Sequence, residues 1–507
     1  MDKKYRLFIF SIFLSFPVLS TATLFDDIAY TQLQTEPGIL IPDGADVSVG
    51  IVEAFTGNGC NIDTSPASCT YRPDTAIKNY RNDDTTPAPP LGYDHSSSLG
   101  ASTSFSSHAS GSAQRFYGLA QSTAPGVSEV HVFAADHWLG NGYLNSGTIN
   151  NPQTSNIRVS NHSYQGSVSS DDFPEAIDIL SRIDWSVEQD EQNIVTASTT
   201  VPINGTAFNV IAVGRTDAGG PPTAVNLGGS IYNSTLRARP DIVVPETTHS
   251  AATPRVASAA ALLVGYGHDQ ALGIAETING KTIYNAERSE VIKSVLMAGA
   301  SRTTSNTDGR PDINNFRSAS NQTDNGLDSR FGAGQLNINN SYQILAAGEQ
   351  EAGAVSTTGF DYVESFGGEN SSNTTTSYEF TFSNDMAWFA ASLVWNLAFE
   401  TDDSSMGDEF SDFTASLYDL NLALYFINPG LADTLVASSN SLIDNTENIW
   451  VFLDQMGDYR IDVTAPGAAF DHDYAVSWQT SAVPIPGAAW LFASALLVLI
   501  TRRKQVS

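Results

Sequence analysis

The chain has 507 residues, more than one ordinary core accommodates and enough for two or three domains. Its formal charge of −31 comes from 55 acidic against 24 basic residues, which argues against nucleic acid as a partner, because phosphate binding needs concentrated Lys and Arg. With 41% hydrophobic residues, 18 Tyr and 25 Phe, it reads as a folded body with an acidic, solubilising surface.

The chain opens on basic MDKKYR, an apolar LFIFSIFLSFPVL and the small residues STA. This order reads as a secretory signal peptide over residues 1–22, followed by a lead-in segment over 23–44. ADVSVGIVEA (45–54) is an apolar, β-branched run bounded by glycine, as expected of a buried parallel strand. Residues 55–107 are rich in Gly, Pro, Ser, Thr and Asp and read as loop. The only cysteines, Cys60 and Cys69, lie there; in an exported chain they predict a local disulfide, and two ligands are too few for a metal site.

Strand patterns recur at SEVHVFAAD (128–136), NIRVSNHS (156–163), IVTAS (194–198) and NVIAVG (209–214). Helical spacing occupies PEAIDILSRIDWSV (174–187), a long Ala-rich stretch from about residue 250, and EVIKSVLMAGA (290–300). Strands alternating with helices predict a three-layer α/β domain with a mostly parallel sheet over 45–348. Short period-two runs then predict a β-sandwich over 349–480, with Trp388, Trp395, Trp450 and Trp478 expected mainly in its core. Residues 481–507 hold VPIP, an apolar run and a basic end, and read as a sorting or membrane segment.

Ser250 stands where the Ala-rich helix begins, and two readings are open. Serine is a preferred helix cap. A serine hydroxyl in a helix's first turn is also well placed for nucleophilic attack, because free backbone N–H groups and the helix dipole favour an anion there. Pro254 is expected in that first turn, where its missing N–H costs little.

PDIVVP (240–245) and SAATPRVASAAALL (250–263) together resemble the nucleophile segment of subtilisin-like serine peptidases. The resemblance places Ser250 on the nucleophile. Thr248-His249 stand in place of Gly-Thr, a change expected to restrict the turn, Arg255 stands where His is common, and Ser258 replaces Gly. SHASGSAQRFYGLAQSTAPGVSEVHVF (107–133) resembles the family's histidine segment, with His108 as general base; His95 competes but lacks the trailing A-P-G turn. At the end of the first strand, Glu53 takes the place of the family's Asp as the group that orients the imidazole.

The same resemblance implies that Ser163, Tyr164, Gln165 and Gly166 line the primary specificity pocket. It puts Thr199 at the oxyanion position of the family's Asn, with Asn204 as a substitute donor. VPIP, with the apolar run and basic end after it, resembles the PEP-CTERM sorting signals in their VPxP variant. Together these likenesses imply an exported serine endopeptidase acting on polypeptides, sorted to a Gram-negative surface by exosortase-like machinery and reaching the membrane through its C-terminal segment. The alternative is an inactive relative serving as a surface or matrix-binding protein. No cofactor is identified; calcium is common in the family, and no site for it is assigned.

Overall fold

The computed structural model describes residues 23–78, 80–81, 92–164, 173–198, 204–217, 226–233, 235, 237–366, 374–383, 386–401, 413–466 and 472–482. The signal-peptide reading of 1–22 and residues 483–507 of the sorting segment lie outside these. Ser481 and Ala482 close a strand instead of opening the tail. Among the described residues no helix is long and apolar enough to cross a membrane.

Eight strands form one parallel sheet: β1 (Ser48–Glu53), β2 (Tyr80–Arg81), β3 (Gly92–Asp94), β4 (Glu129–Ala134), β5 (Val159–His162), β6 (Asn193–Ala197), β7 (Ile211–Arg215) and β8 (Ile242–Val244). Their order is β2-β3-β4-β1-β5-β6-β7-β8. The expected strands are present, and residues 55–107 contribute two more, β2 and β3, too short to carry a periodic signal. All six residues of β1 are buried, as covering a parallel sheet on both faces requires. Val49 and Ile51 join one apolar cluster and Val52 the other.

The first cluster takes in helices Ser107–Phe116, His249–Asp269, Ser289–Gly299 and Ile338–Ala346. The second is built on helix Phe173–Asp190 with Trp138, Tyr143 and Leu144. Helix His249–Asp269 is mostly apolar and is buried from Ala251 to Gly265, as expected of a helix enclosed by the rest of the domain. Small residues let it approach closely: a Cβ added to Gly265 would lie 3.2 Å from Gly44 Cα. Hairpin β9 (Ala275–Ile278) and β10 (Lys281–Tyr284) follows it.

The remaining strands are β-rich and, apart from the two-residue pairing of β11 (Gly353–Ala354) with β13 (Thr375–Phe382), antiparallel. One sheet is completed by β17 (Asn421–Phe426), β18 (Thr434–Ser439) and β20 (Gly457–Thr464). The other holds β12 (Thr358–Val363), β14 (Ala387–Val394), β19 (Thr446–Leu453) and β21 (Tyr474–Ala482), and a small pair links β15 (Ala398–Thr401) to β16 (Phe413–Ser416). The two larger sheets share one apolar core that includes Trp395 and Trp478. Trp388 and Trp450 depart from expectation: they stack on each other at 4.0 Å and are half-buried outside that core.

Helix Ser289–Gly299 belongs to both halves of the molecule. Its apolar side enters the first cluster, while Ser294 Oγ meets Ser477 Oγ at 2.7 Å and Gln479 Nε2 donates to Ala298 O at 2.9 Å.

Candidate active site

Strand order reverses around β1: the chain builds β2, β3 and β4 on one side of it and β5 to β8 on the other. Crevices at the carboxyl ends of strands flanking such a reversal are the common ligand sites of parallel sheets. A cavity of ≈ 470 Å³ opens at this place, lined by Ala54, Ser163, Tyr164, Ala197 and Arg215 at or beyond the strand ends. Thr56, His108, Thr248, His249 and Ser250 complete its wall.

His108 is held by a local device. Ser106 caps helix Ser107–Phe116, its Oγ accepting from Ala109 N at 3.3 Å, which sets the imidazole in the first turn. Ser106 Oγ also meets Thr56 Oγ1 at 3.1 Å, and Thr56 pairs with Thr70 across a loop closed by the Cys60–Cys69 disulfide. The predicted disulfide thus braces the loop that walls one side of the cavity.

Glu53 ends β1 with its side chain 2% exposed, and its Oε2 lies 2.7 Å from His108 Nδ1. The extra methylene of Glu over Asp is therefore accommodated without losing contact. This hydrogen bond raises the His108 pKa above its ordinary 6.5, against the opposing effects of burial and of Arg115. With Nδ1 committed to Glu53, the other ring nitrogen, Nε2, is left to exchange a proton with a substrate or nucleophile.

Thr248, not Ser250, caps the long helix: its Oγ1 accepts from Ala251 N at 3.1 Å. Ser250 is the helix's second residue, and its Oγ lies 3.3 Å from Thr248 Oγ1. Among the described residues no hydrogen bond joins Ser250 Oγ to His108, although both side chains line one cavity. Thr248 adopts φ −139° and ψ 155°, extended backbone open to any residue, so replacing Gly there does not strain the turn. Pro254 is the helix's sixth residue, beyond the expected first turn, and it cannot donate to the Ser250 carbonyl one turn back.

Arg255 and Ser258, two departures from the pattern that residues 250–263 resemble, become braces. Arg255 Nε reaches Glu246 Oε1 at 3.0 Å, and Arg115 Nε, on the His108 helix, reaches the same oxygen at 3.4 Å. Ser258 Oγ accepts from Thr123 N at 2.8 Å and Ala124 N at 3.2 Å, tying the Ser250 helix to the A-P-G turn.

Ser163 and Tyr164 line the cavity, while Gln165, Gly166 and Thr199 lie outside the described residues. Asn204 does not face the cavity as a spare donor: its Nδ2 donates to Tyr164 Oη at 2.8 Å and it is 4% exposed. His95 stands apart from Ser250, bonded to His131 at 2.8 Å and lining a separate cavity. Arg215 joins the site without any advance sign in the sequence, since an arginine at a strand end carries no pattern of its own, and His249, marked in the sequence only as a departure from Gly-Thr, proves to line the cavity.

Two acidic groupings, Glu188/His472/Asp473 and Glu191/Glu290/Asp473, converge at the junction of the two halves. Arg288 and Ser289 donate to Glu191, Asn396 to Glu290, and Tyr362 to Asp473, so Glu191, Glu290 and Asp473 are held by the chain's own donors and we assign no ion to either grouping.

No family model and no curated protein matches the chain. Among solved structures it is similar to MycP1 with its N-terminal propeptide removed, at 14% identity and TM-score 0.32, covering 63% of this chain and 95% of that one. It is also similar to the MycP3 protease from the type VII (ESX-3) secretion system, at 12% identity and TM-score 0.31, covering 59% and 84%. Tripeptidyl peptidase 2 matches at 10% identity and TM-score 0.26, over 74% of this chain and 40% of that one.

Proposed function

We propose that the chain is a subtilisin-like serine endopeptidase. The observation that carries the reading is the Glu53–His108 pair at 2.7 Å, facing the cavity that Ser250 lines from the first turn of a helix. In this reading Ser250 Oγ attacks a peptide carbonyl carbon while His108 Nε2 takes its proton. The carbonyl electron pair moves onto oxygen, facing the free N–H groups at the helix start. Collapse expels the amine, which receives the proton from His108, and water then hydrolyses the acyl-enzyme by the same steps. Glu53 holds the imidazole and stabilises its charged form throughout.

A closing movement around substrate would bring His108 and Ser250 into hydrogen-bond contact, and catalytic hydrogen bonds commonly tighten only in that complex. The open contact, with Ser250 Oγ beside Thr248 Oγ1 instead, also favours the second reading, a non-catalytic surface or matrix-binding protein on the same scaffold. Export through residues 1–22 and surface sorting through the C-terminal segment belong to the same proposal. The purified full chain is expected to cleave casein, and Ser250→Ala to abolish cleavage while unfolding at the same temperature. Equal, absent cleavage by both would favour the non-catalytic reading.

A further inference from the structure

We propose that the imidazole of His249 donates a hydrogen bond to the oxyanion formed when Ser250 attacks, an inference that rests on the serine-peptidase reading. His249 is the first residue of the long helix, immediately before Ser250, and lines the same cavity. Its carbonyl accepts from Thr253 Oγ1 at 2.9 Å, so its backbone is fixed in the helical turn. Its ring nitrogens have no hydrogen-bond partner among the described residues, which leaves an N–H available to a ligand in the cavity. Asn204, the amide the sequence offers as a substitute donor, is already committed to Tyr164.

The charge state suits the role. Burial, with the Arg215 guanidinium nearby, lowers the His249 pKa to about 4, and Asp217 opposes this only in part. The charged or titratable groups around it are Arg215 and Asp217 from the end of β7 and the turn after it, and His108 and Tyr164 in the lining of the same cavity. Near neutral pH the ring is therefore neutral and carries one N–H donor. It cannot compete with His108 for the serine proton, because its affinity for protons is far lower. A neutral imidazole polarising a developing oxyanion needs no proton transfer: the Oγ–C bond forms, the carbonyl pair moves to oxygen, the Oγ proton goes to His108, and His249 keeps its own.

The test uses the full chain and a fluorogenic peptide copied from a casein cleavage site, with His249→Leu and His249→Gln as variants. His249→Leu is expected to lower kcat about 100-fold with KM changed less than about threefold, the usual cost of one oxyanion donor. His249→Gln, which restores an N–H donor, is expected to recover at least about tenfold of that loss. Retention of kcat by His249→Leu overturns the proposal, as does a glutamine variant as slow as the leucine one at an unchanged unfolding temperature. Should the leucine variant fail to fold, the glutamine variant decides: kcat within about tenfold of the parent is expected, and a loss of about 100-fold in the folded protein overturns the role. A parent chain inert towards both peptide and fluorophosphonate overturns the peptidase reading and this role with it, whereas an active parent with an equally active His249→Leu overturns this role alone.

Discussion

Glu53 Oε2 and His108 Nδ1 meet at 2.7 Å across 55 residues of sequence, the carboxylate buried at the end of β1 and the imidazole in the first turn of a helix that opens onto the cavity. The contact selects one tautomer and leaves Nε2 for proton exchange. Glu53→Gln should keep the geometry while losing the charge. We expect kcat to fall on the order of 10⁴-fold with KM little changed, by analogy with amide replacement in other such triads. Steady-state hydrolysis of a fluorogenic peptide reads this directly, and unchanged kcat would remove Glu53 from the mechanism.

The same contact fixes the pH dependence. In the proposed mechanism His108 acts as a base only when neutral, and Glu53 raises its pKa above 6.5, so kcat/KM should rise with pH along a limb centred above that value. The stabilisation that this pair gives the fold has the opposite sense: it is fully present below pH 6.5 and lost as pH rises through the raised pKa. In Glu53→Gln the activity limb should move to lower pH. A limb that stays in place would assign the ionisation to another group.

Much of this site is readable from the sequence, because strand ends and helix starts leave local marks. Glu53 follows an apolar β-branched run, His108 follows a serine cap, and Ser250 precedes an Ala-rich helix. Thr248 and Ser250 compete for the cap by composition alone, and only backbone geometry shows that Thr248 takes it. Strands β2, β3 and β8, of two or three residues, are too short to alternate, and β9 is largely exposed, so its residues carry no apolar signal. Arg255 and Ser258 look like departures from a pattern until their partners are known: Glu246 nine residues before Arg255, and Thr123, 135 residues before Ser258.

Glu246 is the chief such partner, since Arg255 and Arg115 reach one oxygen of it from the two helices that carry Ser250 and His108. Glu246→Ala would leave Arg255, whose side chain is 9% exposed, without its carboxylate. A stability loss of about 2 kcal/mol is expected from removing one partner of a mostly buried pair, measurable as a lower urea midpoint at constant slope. The kcat should fall as well, because the two helices lose their shared tether. Wild-type stability in Glu246→Ala would show that the bridge contributes nothing to the fold.

In the β-rich half, Glu447 is buried between Ser439 Oγ and the N–H of Ser441, and burial raises its pKa to about 9. The folded chain then holds a proton that the unfolded chain releases near 4.5, so stability should decrease between about pH 5 and pH 9, by up to about 1.4 kcal/mol per pH unit for this group. Glu447→Gln should flatten this part of the profile in urea titrations run across that range. A slope unchanged by the substitution would place the proton elsewhere.

The most direct test of the central claim is a fluorophosphonate reaction with the full chain, followed by intact mass and peptide mapping. The account predicts one covalent phosphonyl adduct on Ser250, absent from Ser250→Ala and slowed in His108→Ala. An unmodified parent chain, or an adduct on any other residue, would contradict it.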